Sequence, residues 1–270
     1  MRILFTVCGR AGSKGIKNKN FRDFLGRPLL LYTFDAIEAY SKKHSEVSAD
    51  VALNTDSLEM MRIVREKVGQ SVILVNRKSE LVGDTVAKIP VIADTLNEVE
   101  RQTGNQYDMV VDCDITSPLR TVKDIENLVE KKSQGDWDVV FSVVEARRNP
   151  YFNMVKLEED GRVVLVNPSK YTARQQAPKI YDMNASLYAY SPEFLRSGKH
   201  MFEGRCGIIE MMDTGILDLD RENDFELMQV VAKYLFEKCA KYNEVYVNAK
   251  VVSFSNCSSQ QKLDTKNGNK

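Results

Sequence analysis

The chain has 270 residues, enough for one large α/β domain or two small ones around a sizeable core. Lys plus Arg and Asp plus Glu both number 38, so no global field argues for nucleic acid or an anionic membrane surface as a partner. Cys8, Cys113, Cys206, Cys239 and Cys257 stand far apart with no Cys-x-x-Cys and only two histidines to join them, which argues against zinc and for a reducing compartment.

The start, "MRILFTVCGR", is too short an apolar run for a signal peptide, and no run approaches the roughly 18 apolar residues of a spanning helix, so a cytoplasmic protein is expected. Short β-branched runs then alternate with amphipathic stretches. The strand "ILFTV" is followed by a helix in "PLLLYTFDAIEAYSKK", the strand "DVALN", a helix in "SLEMMRIVREKVG" and the strand "SVILV". The rhythm continues through "TVAKIPVIADTLNEVERQTG", "DMVVDCD", "TVKDIENLVEKKSQG" and "DVVFSVVEA". Such alternation predicts a mainly parallel sheet with helices on both faces, its post-strand loops gathered at one edge. From about Arg148 to Tyr181 the pattern changes to a small β-rich insertion, with a hairpin turned at Asp160-Gly161, and "SLYAYS" reads as a further strand. A last amphipathic helix is expected over about Asn223 to Tyr242. The predicted domain covers residues 1–254, and the polar residues 255–270 read as a disordered tail.

The stretch "VCGRAGSKGIKNKN" follows the first strand and interleaves Arg10, Lys14, Lys17 and Lys19 with Gly9, Gly12 and Gly15. Glycines let backbone N–H groups turn inward, Ser13 adds a hydroxyl, and the cations add charge, which together suit a polyphosphate. The plainer reading is a solvated basic loop. Neither GxxxxGK[ST] nor GxGxxG is present, which disfavours a kinase P-loop and a dinucleotide fingerprint. Asp218 and Asp220 in "ILDLDREND" read as a strand end with both carboxylates on one side, a spacing that suits Mg²⁺; the plainer reading makes Asp220 a helix cap.

The loop resembles the N-terminal signature of the CMP-sialic acid synthetases, the acylneuraminate cytidylyltransferase family. It stands here as Arg10, Gly12, Ser13, Lys14, Gly15, Ile16, Lys19, Asn20 and Arg22, followed by "LGRPLLLYTFDAI". Four further segments resemble the family's in the same order: "NRKSELVGDT", "ITSPLR", "ARQQAPKIY" and "LDLDRENDFELMQ". The resemblance implies a Rossmann-like nucleotidyltransferase fold and activation of an acidic nine-carbon sugar by CTP, with release of pyrophosphate. It implies that Arg10, Lys19 and Asp220 carry catalysis, and that Arg10, Gly12, Ser13, Lys14, Lys19, Asn20, Arg77 and Asp84 hold the nucleotide. Asp218 and Asp220 would hold Mg²⁺. Asp114, Thr116, Ser117, Arg120, Arg174, Gln175, Asp182 and Asn184 would meet the sugar. Related enzymes pair through an insertion such as residues 148–181, so a homodimer is expected.

Two departures bear on substrate choice. Asp114-Ile115 replaces the family's Gln-Pro, and Asp182 stands where many sialate-activating members carry an arginine. Carboxylates there would repel a sugar acid and accept hydrogen bonds from its N-acyl or hydroxyl donors, leaving the acid group to Arg174 or Lys170. The wording "YDMNASLYAY" resembles the branch that acts on legionaminate, which is therefore favoured over N-acetylneuraminate. Within the fold class the alternatives are another NTP with a sugar phosphate, or an inactive nucleotide-binding homologue.

Overall fold

The computed structural model describes residues 1–12, 15–83, 85–214 and 219–246. In chain order the elements are β1 (Arg2–Cys8), β2 (Asp23–Phe24), β3 (Arg27–Pro28), α1 (Leu30–Lys43), β4 (Ser48–Thr55), α2 (Leu58–Lys67), β5 (Ile73–Asn76), α3 (Lys88–Thr103), β6 (Met109–Cys113) and α4 (Val122–Ser133). They continue with β7 (Val139–Glu145), β8 (Val155–Leu157), β9 (Val163–Leu165), β10 (Tyr181–Tyr190), α5 (Pro192–Arg196), β11 (Cys206–Glu210) and α6 (Glu222–Lys238).

Seven strands form one sheet in the order β11-β7-β10-β6-β1-β4-β5. All neighbours pair in parallel except β10, which runs antiparallel to both β6 and β7. The mainly parallel sheet expected from the sequence is therefore present, with one reversed strand. Alternate residues of β1 feed opposite layers: Ile3, Phe5 and Val7 pack under α1, α2, α4 and α6, while Leu4 packs under α3 and α5. Burial on both faces explains why these strands read as unbroken apolar runs. Each such aliphatic or aromatic side chain contributes about 1.5–3 kcal/mol on burial.

Local signals set the helix ends. Ser57 caps α2 by accepting the Met60 N–H at 3.2 Å, and Thr121 and Asp124 close a reciprocal capping box at the start of α4. Gly104 ends α3 in the left-handed region at φ 74°. Among the described residues no helix is long and apolar enough to cross a membrane.

Three sequence expectations are revised. The final helix does not run unbroken to Tyr242: Cys239 adopts extended geometry, and helical turns resume over residues 240–246. Leu219 and Asp220 belong to no strand, and the cap of α6 is Arg221, whose N–H bonds Asp224 Oδ2 at 2.9 Å, so Asp220 is not the helix cap. β11 is a strand that the sequence reading does not contain. Its Gly207 sits where an added Cβ would meet the Trp137 ring at 3.0 Å, and this glycine dilutes the strand pattern. The hairpin at Asp160-Gly161 forms as expected, with Gly161 at φ 83° and β8 and β9 pairing only with each other. The tail expected over residues 255–270 lies outside the described residues.

Candidate active site

β4 and β5 extend the sheet on one side of β1, and β6 lies on the other. The crevice beyond the carboxyl ends of β1 and β6 is thus a topological switch point, where open α/β sheets bind ligands. A cavity of about 270 Å³ opens there. Its wall is made by Cys8 at the end of β1 and Gly9, Arg10 and Gly12 after it, by Lys19 and Asn20, by Arg77, Leu81, Gly83 and Val86 after β5, by Lys88 and Val91 of α3, and by Asp114 and Thr116 after β6.

Short polar ties hold the loop after β1 in place. Gly9 N–H bonds the Asn54 carbonyl at 3.1 Å, Ala11 N–H bonds Asp56 Oδ1 at 2.7 Å, and the Asn20 side-chain amide reaches back to the Arg10 carbonyl at 3.0 Å. Gly9 is required by space, because a Cβ would lie 2.6 Å from Met60 and 2.7 Å from Ile115. Lys19 donates to the Leu219 carbonyl at 2.6 Å and lies 3.6 Å from Asp220 Oδ1. A Cβ on Gly15 would overlap the Asp220 carbonyl. The loop and the segment entering α6 are therefore packed against each other, with Lys19 mostly buried and Asp220 mostly in solvent. Arg77 is anchored through Nε on Asn54 Oδ1 at 2.8 Å and through Nη2 on the Asn54 carbonyl at 3.1 Å.

Ser13, Lys14, Asp84 and Asp218 lie outside the described residues. Of the expected nucleotide set, Arg10, Gly12, Lys19, Asn20 and Arg77 meet around the one cavity. A Mg²⁺ carried on a triphosphate needs only one or two protein carboxylates, the phosphates and water completing its shell. The exposed Asp220 carboxylate beside Lys19 fits that requirement. Among the described residues no three histidine, cysteine or carboxylate side chains converge on a common point.

The expected sugar set divides. Asp114 and Thr116 line the main cavity. Ser117 and Asn184 meet at a separate cleft of about 10 Å³, together with Val144 and Met211. Asn184 is buried at the irregular part of β10 and accepts the Ser142 hydroxyl at 2.6 Å; the next residue, Ala185, has φ 50°. Arg120 is fully buried, with its guanidinium on the Ser117 and Asp114 carbonyls, so it braces the turn after β6 from within. Arg174 Nη2 donates to the Ala146 carbonyl at 2.7 Å, and Arg174, Gln175 and Asp182 line neither cavity.

The sequence reading misses Lys88, taking it as an ordinary helix residue. Its Nζ lies 2.7 Å from Asp112 Oδ2 and 2.5 Å from Asp114 Oδ2. Asp112 is fully buried and also accepts the Thr6 hydroxyl at 2.9 Å, while Asp114 Oδ1 accepts the Thr116 N–H at 2.8 Å and its hydroxyl at 2.7 Å. Burial works to raise the Asp114 carboxyl, but Lys88 and the Thr116 donors outweigh it and hold it at about 2. Burial likewise works to lower Lys88, and the two aspartates outweigh it and hold the ammonium well above its ordinary value. Asp114 is therefore not the bare carboxylate of the sequence reading. Two signals pointed to this cation: two carboxylates embedded in the apolar strand "MVVDCD", and a lysine in the first turn of a helix, where the dipole disfavours it.

A switch-point cavity lined on one side by a glycine-rich cationic loop defines an α/β enzyme that handles a polyphosphate. Residues 4–251 match the cytidylyltransferase family, and the chain belongs to it. It is 37% identical to post-translational flagellin modification protein B of Campylobacter coli, over 86% of this chain and 95% of that one. It is 34% identical to the CMP-N,N'-diacetyllegionaminic acid synthase of Campylobacter jejuni, over 84% of this chain and 93% of that one. In fold it resembles a CMP:2-keto-3-deoxy-manno-octonic acid synthetase complexed with CTP, with TM-score 0.62 and 15% identity over 86% of this chain and 99% of the other.

Proposed function

We propose that this cytidylyltransferase joins CTP to an acidic nine-carbon sugar of the legionaminate type, giving the CMP-sugar and pyrophosphate. The observation that carries the reading is that Arg10, Lys19 and Asn20 of the family-like loop line the same cavity as Asp114 and Thr116. An anomeric hydroxyl attacks the α-phosphorus of CTP: a new O–P bond forms, the bond to the bridging oxygen breaks, and pyrophosphate carries away the electron pair while the hydroxyl proton passes to solvent. Such a reaction depends on alignment and on neutralising charge at the phosphate oxygens. Arg10 and Lys19 supply fixed cations on one wall, and Arg77, locked on Asn54, faces the nucleotide from the side of β5. Mg²⁺ would be held by Asp220 together with Asp218 and would neutralise phosphate charge.

The legionaminate preference is supported by the similarity to a legionaminic acid synthase and by Asp114, an acceptor placed at the cavity wall. A homodimer is supported by the β8–β9 hairpin. Val155, Leu157, Val163 and Leu165 pair across it on one face, and the first three are more than half exposed in the single chain. A CTP-dependent reaction of this kind belongs in the cytoplasm.

The test is pyrophosphate release from CTP, UTP, GTP or ATP, each paired with N,N'-diacetyllegionaminate, N-acetylneuraminate or a hexose 1-phosphate. Release with CTP and the nine-carbon acids alone is expected, with legionaminate preferred by roughly tenfold, the scale of one mispaired polar contact. Turnover with a sugar phosphate and another NTP would replace this reading.

A further inference from the structure

We propose, resting on the reading above, that Lys88 is a positioning residue: braced by buried Asp112, it fixes Asp114 as a permanent hydrogen-bond acceptor for an N–H or O–H group of the acceptor sugar. Asp112 cannot move, being fully buried on the central strand β6 and bonded to Thr6. Lys88 is therefore held from below by one aspartate and hands its remaining charge to the other. The Asp114 carboxylate uses one oxygen for two donors of Thr116 and the other for Lys88. A carboxylate accepts about four hydrogen bonds, so one position remains for a ligand in the cavity that Asp114 lines.

Charge decides which ligand that is. One cation against two anions leaves the Lys88 cluster net negative, whereas the loop after β1 presents Arg10 and Lys19. A triphosphate settles at the cationic wall, and the Asp114 wall is left to a neutral donor group. Asp114 also stands at the start of the turn that runs through Thr116 to Ser117, away from the Arg77 side. The other charged or titratable groups near the cluster do not take the remaining position on Asp114. Cys8, from β1, is pushed upward by burial and stays a neutral thiol; the buried Tyr190 phenol, from β10, is likewise raised and neutral. The Tyr188 ring face lies 5.9 Å from the Lys88 ammonium, and Arg120 keeps its charge but is fully buried on the Asp114 and Ser117 carbonyls, outside the cavity wall. Arg77 is held on Asn54.

Steady-state kinetics from pH 5.5 to 9 would be measured for wild type, Lys88→Gln and Lys88→Arg, with CTP and N,N'-diacetyllegionaminate varied separately. With the cation removed, burial and the neighbouring Asp112 charge raise Asp114. The KM for the sugar in Lys88→Gln is then expected to rise about tenfold at pH 6 and to recover towards pH 9, with the KM for CTP unchanged and Lys88→Arg partly restored. A raised KM for CTP alone, or an unchanged sugar KM at every pH, overturns the proposal. Should Lys88→Gln not fold, Lys88→Met with Asp112→Asn removes the cation and the buried anion together and is expected to show the same split between the two substrates. A substrate-free measurement separates this proposal from the reading it rests on: carboxyl ¹³C NMR titration of Asp114 should show its midpoint raised in Lys88→Gln. An unmoved midpoint overturns the role of Lys88, whereas a moved midpoint in a protein that releases no pyrophosphate overturns the proposed reaction instead.

Discussion

Lys19 is a lysine with two tasks. Its ammonium closes the loop after β1 onto the Leu219 carbonyl, and it stands in the wall of the cavity. Lys19→Ala is expected to lower turnover by at least about a hundredfold, the scale for losing a preorganised charge in a phosphoryl-transfer site. Circular dichroism should show the fold intact, and near-normal turnover in a folded variant would remove Lys19 from the chemistry. Gly15→Ala tests the same junction through space alone: the new methyl must displace the Asp220 backbone, so turnover should fall, and the melting temperature should fall with it, because the flanking Ile16 and Leu219 are fully buried in the core. The loop was legible in the sequence because glycines and cations crowd into one short stretch. Lys88 was not, because one lysine in an amphipathic helix looks like solvated surface until the sheet register brings Asp112 and Asp114 beneath it.

The junction of α1 and α4 makes a pH-dependent contribution to stability. His44, the C-cap of α1, stacks on Tyr40 and reaches Glu126 of α4 at 3.0 Å and Glu46 at 3.1 Å. Hydrogen bonding to Glu126 raises the His44 pKa despite partial burial. The folded protein therefore binds this proton more tightly than the unfolded chain. The gain is complete below the unfolded value of about 6.5 and is lost as pH rises through the folded value. His44→Asn should destabilise by about 0.3–1 kcal/mol at pH 5.5 and by clearly less at pH 9, measured by urea unfolding. Equal losses at both values would show that the ring contributes only by packing. At this scale the sequence carried most of the architecture, since apolar runs and Ser57, Thr121 and Gly104 mark strands and caps directly. It failed where tertiary context overrode local pattern. β10 begins earlier than "SLYAYS" suggests because pairing with β7 recruits Tyr181 to Met183, and the last helix breaks at Cys239.

For the whole molecule, a hairpin with three mostly exposed aliphatic residues on one face needs a cover, and a two-stranded ribbon is marginal alone. Light scattering at micromolar concentration should report a dimer, and Leu157→Glu should shift it towards monomer; a wild-type monomer would contradict the assignment of the hairpin. In the proposed reaction the cationic loop and the Asp114 wall bring CTP and a nine-carbon acid together so that one phosphate, and not two, ends on the sugar. The most direct measurement is ³¹P NMR of the reaction of CTP with N,N'-diacetyllegionaminate and Mg²⁺. A single new phosphodiester resonance accompanied by equimolar pyrophosphate is the expected result. A pair of coupled diphosphate resonances, obtained only when a sugar phosphate is supplied, would contradict it.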